Sequence, residues 1–270
     1  MNTEVASKQI KSYQDNGFLI LNNFLTLEEV EELRTAVEVS VQQMGRQKVA
    51  GDGNKDLVEG DTFYDKVFIQ RLNLWKINST IKNYFLSPKL GEMLCKLTGA
   101  RGIRVWHDQT LQKQPWANPT AWHLDNPYWS FHSRDAISIW VALDEATLQN
   151  GCMYYLPGSH KLARLDNVDI GQNMDALFKH YPEFRNIEPV AAVMKPGMAG
   201  LHNGLTVHGA GPNMTPRWRR AMTCAYMPEG ASFNGIQNIL SQEQVAKLKV
   251  GDVLNDESQN PLLWQIPNLK

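Results

Sequence analysis

The sequence predicts a mainly β fold, a barrel or jelly roll braced by helices on its N-terminal side. Three observations predict it. Helix periodicity and capping signals dominate the chain before Gly99. Beyond Gly99 come short β-prone runs ("IRVWHDQTLQ", "AISIWVALD", "CMYYLPG", "VAAVMK", "GLTVHG", "RAMTCAYMP") separated by Gly, Pro and Asn turns. No internal repeat, low-complexity tract or linker divides the 270 residues, a length that one β-rich domain commonly reaches. Helices first and strands afterwards then read as one domain over 1–270: a helical part to about 99, a jelly-roll core over about 100–228, and a closing segment over about 229–270.

Taken in order, residues 6–16 form a short helix stopped at Asn16-Gly17, and "FLILN" (18–22) is a strand. Thr26 and Glu29 fit a capping box, with Leu25 and Val30 as its hydrophobic staple. The helix they open carries Leu27, Val30, Leu33, Val37, Val41 and Met44 on one face. The stretch from Gly45 to Asp61 is polar and glycine-rich, which fits a solvated loop or a mobile lid. Helix resumes from about Ser79 to Thr98, restarted by Ser87-Pro88 and closed by Gly99. One further helix is expected near 241–249.

Composition excludes several classes. A formal net charge of −1 gives no basic surface for nucleic acid. No apolar run reaches membrane-spanning length, and the first residues lack the apolar core of a signal peptide. Cys95, Cys152 and Cys224 lie far apart in apolar surroundings, as buried free thiols of a cytoplasmic protein would.

The chemistry centres on "TAWHLDNPYWSF" (120–131). If 122–125 is extended, His123 and Asp125 project from one face. They then form a hydrogen-bonded pair, a base with its orienting acid, or two metal ligands. With seven histidines and 28 acidic residues, chance alone predicts nearly one His-x-acid pair and the chain has one, so a third group is needed. "GLHNGLTVHGAGPN" offers His202 and His208, of which His208 ends a β-prone run before a turn, where a barrel mouth would be. Two histidines and a carboxylate that leave open positions suit a non-haem Fe(II) oxygenase, and an arginine aimed at them suits a dicarboxylate cosubstrate. "TPRWRRAMTCAYMP" supplies three arginines on the strand that returns.

His123-x-Asp125, His208, and Arg219 eleven residues beyond it resemble the signature of the phytanoyl-CoA dioxygenase family. "DEATLQNGCMYYLPGSH" (144–160), "HGAGPN" (208–213) and "YQDNGFLILNNFLT" resemble further stretches of that family, so the likeness spans about residues 10–228. It implies a double-stranded β-helix of cupin type that uses Fe(II), 2-oxoglutarate and O2. It makes His123, Asp125 and His208 the metal ligands and the catalytic centre, and Arg219 the cosubstrate anchor in preference to Arg217 or Arg220. It adds Trp140, Gln109 and Arg71 as further cosubstrate contacts; Trp140 also fits a core aromatic. His202 is expected to support the site without ligating. The turns at Asn150-Gly151 and Pro157–His160 are structural, and His107, His132 and His160 receive no role. Trp116, Tyr128, Trp129 and Phe131 are expected to shape the pocket of a small-molecule substrate. The implied reaction releases succinate and CO2 and hydroxylates a C–H bond; Asp125 favours hydroxylation over halogenation, where a small residue replaces the carboxylate. A cupin-type isomerase or hydrolase and a non-catalytic binding relative are the alternatives. Neither the substrate nor the oligomeric state is legible.

Overall fold

The computed structural model describes residues 1–166, 168 and 170–267, so the last three residues of the closing segment lie outside the described residues. The N-terminal part runs α1 (Ser7–Asn16), β1 (Phe18–Leu21), α2 (Leu27–Met44), β2 (Ile69–Leu72), α3 (Ser79–Phe85) and α4 (Pro88–Thr98). Then follow β3 (Gly102–Lys113), β4 (Thr120–His123), β5 (Ile137–Ala142), β6 (Met153–Tyr155), α5 (Ser159–Leu162), α6 (Ala176–His180), β7 (Val190–Ala192), β8 (Ala199–Asn203), β9 (His208–Ala210) and β10 (Arg219–Pro228). The chain closes with α7 (Gln242–Ala246) and β11 (Leu262–Gln265).

The predicted start of α2 is present: Thr26 Oγ1 accepts from the Glu29 N–H at 3.2 Å and the Glu29 carboxylate accepts from the Thr26 N–H at 2.9 Å. Leu27 departs from the expected apolar face, being 73% exposed in the first turn, while Val30, Leu33 and Val37 are buried. Pro88 opens α4, and Gly99, at φ +80°, ends it.

Two antiparallel sheets face each other as a jelly roll. The larger has the order β1-β8-β5-β10-β3-β11, with β2 also on β3; the smaller has the order β4-β9-β6-β7. Alternation along the strands decides what each face does. Ile137, Ile139 and Val141 of β5 and Met222, Cys224 and Tyr226 of β10 point outward into the core shared with α2 and α4. Trp140 and Ala142 of β5 and Ala221 of β10 point inward, between the sheets.

Three expectations need correction. Residues 45–61 are not a free solvated loop. Gln47 bridges Val58, Val49 bridges Leu72, and the Asn54 N–H donates to the Ile239 carbonyl at 3.0 Å, so the segment lies along the barrel mouth. "GLTVHG" is not one strand, because the chain turns at 204–206. His202 therefore stands on β8 in the large sheet and His208 on β9 in the small one. The closing segment adds β11 on β3, which sequence periodicity did not indicate. All three cysteines are free and buried, and among the described residues no helix is long and apolar enough to cross a membrane.

Candidate metal centre and its cavity

The small sheet presents the two histidines. His123 ends β4 and is paired in register with His208 at the start of β9, so both imidazoles leave the same face, with ring centroids 4.1 Å apart. Asp125 reaches them differently from expectation. It lies past the strand end in helical backbone (φ −75°, ψ −50°), opening a single turn over Asn126–Tyr128. That turn is held by buried Asn126, whose N–H donates to the Gly204 carbonyl at 2.9 Å. A Cβ on Gly204 would come within 3.1 Å of the Asn126 Cβ, so this approach needs glycine or a shift.

Hydrogen bonds set the direction of each ligand atom. His123 Nδ1 donates to the Ala121 carbonyl at 2.8 Å and His208 Nδ1 to the Thr206 carbonyl at 2.9 Å. A carbonyl only accepts, so each Nδ1 carries the proton and each Nε2 offers its lone pair. Both Nε2 atoms lie 3.6 Å from Asp125 Oδ1, and ligand atoms of the three residues all fall within 4.8 Å of one another. The other carboxylate oxygen, Oδ2, is occupied. Ser138 Oγ donates to it at 3.0 Å and His202 Nε2 lies 3.1 Å away, with the Tyr155 hydroxyl behind at 3.5 Å from His202 Nδ1.

The electrostatics suit a cation. Burial alone would raise the Asp125 carboxyl, but the imidazoles of His208, His202 and His123 outweigh it and hold the group well below its usual range. Burial also lowers the His123 and His208 pKa values, the latter with the repulsion of His123 added. Neutral imidazoles and an ionised carboxylate are the forms that ligate a divalent metal.

The triad opens into a cavity of about 390 Å³ between the sheets, within the range of small-molecule sites. One end is closed by Arg219. Its side chain is buried, its guanidinium lies 5.2 Å from the Trp140 ring, its Nε has no partner, and Nη1 has only the Leu111 carbonyl, at 3.4 Å. Burial drags its pKa from 12.5 to about 10. Arg220 points to the opposite face, where Asp144 holds it through two bonds of 2.7 and 2.9 Å, and Arg217 precedes the strand and is exposed. A buried cation facing a cavity without a counter-charge beside it among the described residues fits a ligand carboxylate, and the triad fits a metal of the iron type.

Gln109, Trp140, Tyr128 and Trp129 line this cavity. Three other expected residues do not. Arg71 turns away, its guanidinium bound to the Gly45 carbonyl and the Glu59 carboxylate; its neighbour Gln70 takes the lining position. Trp116 is 64% exposed at a left-handed φ of +65°. Phe131 is fully buried behind Trp129, ring centroids 5.5 Å apart. Sequence reasoning missed His107, which lines the cavity, and Lys113, buried opposite Arg219. Both share the β3 parity of Gln109, and that signal could have found them. Lys48, also at the wall, arrives by the docking of 45–61 and leaves no local signal.

A jelly roll with His-x-Asp and a distant His on the small sheet, and a buried arginine facing them from the large one, defines an Fe(II)- and 2-oxoglutarate-dependent oxygenase. The family model for phytanoyl-CoA dioxygenase (PhyH) matches residues 13–221, and the chain belongs to that family. It is 24% identical over 260 residues to the peroxisomal phytanoyl-CoA dioxygenase of Rattus norvegicus, covering 91% of this chain and 75% of that protein. It is 27% identical over 226 residues to a probable alpha-ketoglutarate-dependent hypophosphite dioxygenase of Stutzerimonas stutzeri, covering 82% and 78%. Among solved structures, the carbocyclase SnoK from nogalamycin biosynthesis superposes with a TM-score of 0.77 at 25% identity, over 96% of this chain and 97% of that one. The epimerase SnoN, solved with Fe3+, alpha-ketoglutarate and nogalamycin RO, superposes with a TM-score of 0.74 at 21% identity, over 95% and 97%. The enzyme's cofactors are iron and 2-oxoglutarate.

Proposed function

We propose that this enzyme hydroxylates a C–H bond of a small-molecule metabolite, with His123, Asp125 and His208 holding Fe(II) and Arg219 anchoring the distal carboxylate of 2-oxoglutarate. The observation that carries this is the buried Arg219 guanidinium, in the same cavity as the triad, whose Nε has no partner and which has no carboxylate against it among the described residues. When bound, iron and 2-oxoglutarate supply the oxidising chemistry with O2, releasing succinate and CO2. The chain's own residues do the rest. The Ala121 and Thr206 carbonyls fix the imidazoles, and Ser138 and His202 fix Asp125 so that only Oδ1 faces the metal position. Trp140 stacks beneath the Arg219 guanidinium and helps to exclude water from it. Gln109 lines the cavity with its Oε1 accepting from Gln70 at 2.5 Å, which supports its amide NH2 as a further cosubstrate contact.

Asp125 favours hydroxylation over halogenation, since a carboxylate occupies the position a halide would need. The buried free thiols support a reducing, cytoplasmic compartment. The test is anaerobic. Fe(II) and 2-oxoglutarate together should give a weak visible charge-transfer band, abolished by His123→Ala and by His208→Ala. No band at saturating metal and cosubstrate would sink the assignment. With O2 and a metabolite extract, succinate should form together with a product heavier by one oxygen.

A further inference from the structure

The cavity has a second polar end that the triad and Arg219 leave unused. Strand register places it. Across the large sheet, His202, Ser138, Ala225 and His107 lie in one row, contributed by β8, β5, β10 and β3. The first two hold Asp125. His107 therefore stands at the level of the metal position, two strands from Ser138, which is a lateral distance of about 10 Å at the usual strand spacing. Between them stands Ala225, packed in the apolar cluster that includes Trp129 and Phe131. Arg219 and Lys113 pair six residues further along the same two strands, about 20 Å away at the usual rise. The cosubstrate end and the His107 end are thus separate.

His107 is 4% exposed and lines the cavity, and its buried Nδ1 makes no hydrogen bond of good geometry, the Asp108 backbone alone acting on the ring as an acceptor. Such a group costs free energy unless a ligand completes it. Asn238, at the same cavity, has a buried Oδ1 without a partner. Around them the wall is apolar, with the Trp129 ring edge-on to His107 at 6.3 Å and Leu72 and Ile239 alongside. The nearby cation, Lys48, is neutralised by Asp65 at 2.5 Å.

We infer that this end is the primary-substrate subsite, and that it takes a compact, largely apolar molecule bearing a neutral oxygen function, hydroxyl or carbonyl, hydrogen-bonded by His107 with Asn238. The size follows from the volume, because about 390 Å³ has to hold the cosubstrate as well. Neutrality follows from the absence of an uncompensated charge among the described wall residues at this end. Burial also lowers the His107 pKa to about 4, so the ring is a neutral donor and acceptor at pH 7. A substrate spanning from His107 toward Asp125 presents to the metal position a C–H bond some way along its body from the anchored oxygen.

This rests on the iron and 2-oxoglutarate reading, and the experiment keeps the two apart. The anaerobic protein is loaded with Fe(II) and 2-oxoglutarate, and the charge-transfer band before any probe is added tests the parent reading. Three probes sharing one skeleton are then titrated: 2-phenylethanol, phenylacetate and 2-phenylethylammonium. Tryptophan fluorescence reports binding beside Trp129, and a change in the band reports approach to the metal. With 2-oxoglutarate on Arg219, phenylacetate has no second anchor. The alcohol should bind about tenfold or more tighter than either ion, and His107→Phe should weaken it by a similar factor, as loss of one buried hydrogen bond does. Asn238→Gly, which keeps the left-handed backbone of φ +44°, should weaken it less. His107→Gln, a second variant that keeps a polar group, should retain part of the preference. Preference for either ion, an unchanged alcohol affinity in His107→Phe, or no binding by the alcohol overturns the inference while the band stands. If the band fails instead, the alcohol titrated by fluorescence against metal-free wild-type protein and His107→Phe still decides the subsite, since that comparison does not depend on what occupies Arg219.

Discussion

Replacing Arg219 should have opposite effects on the free and the cosubstrate-bound protein. In the free protein the guanidinium is buried over the Trp140 ring and, among the described residues, without an acidic partner in the cavity other than the distant triad. The fall of its pKa from 12.5 to about 10 corresponds to about 3 kcal/mol of unfavourable burial, at 1.36 kcal/mol per tenfold. Arg219→Met fills a similar volume without the charge, so the free protein should unfold at the same or a higher temperature. Binding of 2-oxoglutarate should show the reverse. Removing one member of a buried ion pair leaves the other unpaired, at about 3–5 kcal/mol. This corresponds to a loss on the order of 10² to 10³ in apparent affinity. Arg219→Lys should recover part of it, because an ammonium lacks the planar fork. The assay is a pair of thermal melts, with and without saturating Fe(II) and 2-oxoglutarate, beside the cosubstrate dependence of succinate formation. A free protein that loses stability while keeping its cosubstrate affinity would refute the reasoning and make Arg219 a structural cation.

Arg220→Ala should leave the cosubstrate requirement nearly unchanged but lower the melting temperature by an amount equivalent to about 1 kcal/mol, since its two bonds to Asp144 tie β10 to the turn after β5; a large cosubstrate effect would mean that the register of β10 is wrong. His202→Ala should weaken Fe(II) binding by about 10- to 100-fold without abolishing the charge-transfer band, because Ser138 still holds Asp125 Oδ2; full loss of the band would make His202 a ligand. Lys113 is buried against the Val67 and Asn118 carbonyls, and burial, with Arg219 adding to it, lowers its pKa from 10.5 to about 6. Between those values the unfolded chain binds a proton that the folded one does not, so stability rises with pH, by at most about 1.4 kcal/mol per pH unit. The two carbonyls oppose the shift and keep the slope below that ceiling, and Lys113→Met should flatten it in urea titrations at pH 7 to 10. Hydrogen exchange over 45–61 should slow when cosubstrate and substrate are both bound, because Lys48 and Leu57 of that segment wall the cavity; unchanged exchange would leave it a fixed wall.

The local signals in the sequence were sufficient for elements whose causes are local. The Thr26–Glu29 box, the Pro88 start and the Gly99 stop each depend on groups within four residues of one another, and each is present as read. Alternation along β10 sends Arg219 inward and Arg220 to Asp144, but in the sequence the spacing of the family motif alone preferred Arg219. The His-x-Asp pair and His208 were legible through motif spacing, although the pairing that brings them together is between strands 85 residues apart.

What the sequence could not decide depends on the path of the chain between its elements. Arg71 and Gln70 are adjacent, and only the docking of 45–61 against β2 determines which one meets the cavity. Trp116 looked like a pocket aromatic but sits in a left-handed turn that holds it in solvent. Asp125 reaches the histidines through a helical turn and not by strand alternation, and His202 faces it from the opposite sheet because the chain turns at Gly204. The sequence by itself determined the class of chemistry, since ligand types and spacing are covalent facts. The tertiary structure decided which neutral and charged groups share the cavity, since burial and cross-sheet distance arise only when the two sheets close on each other.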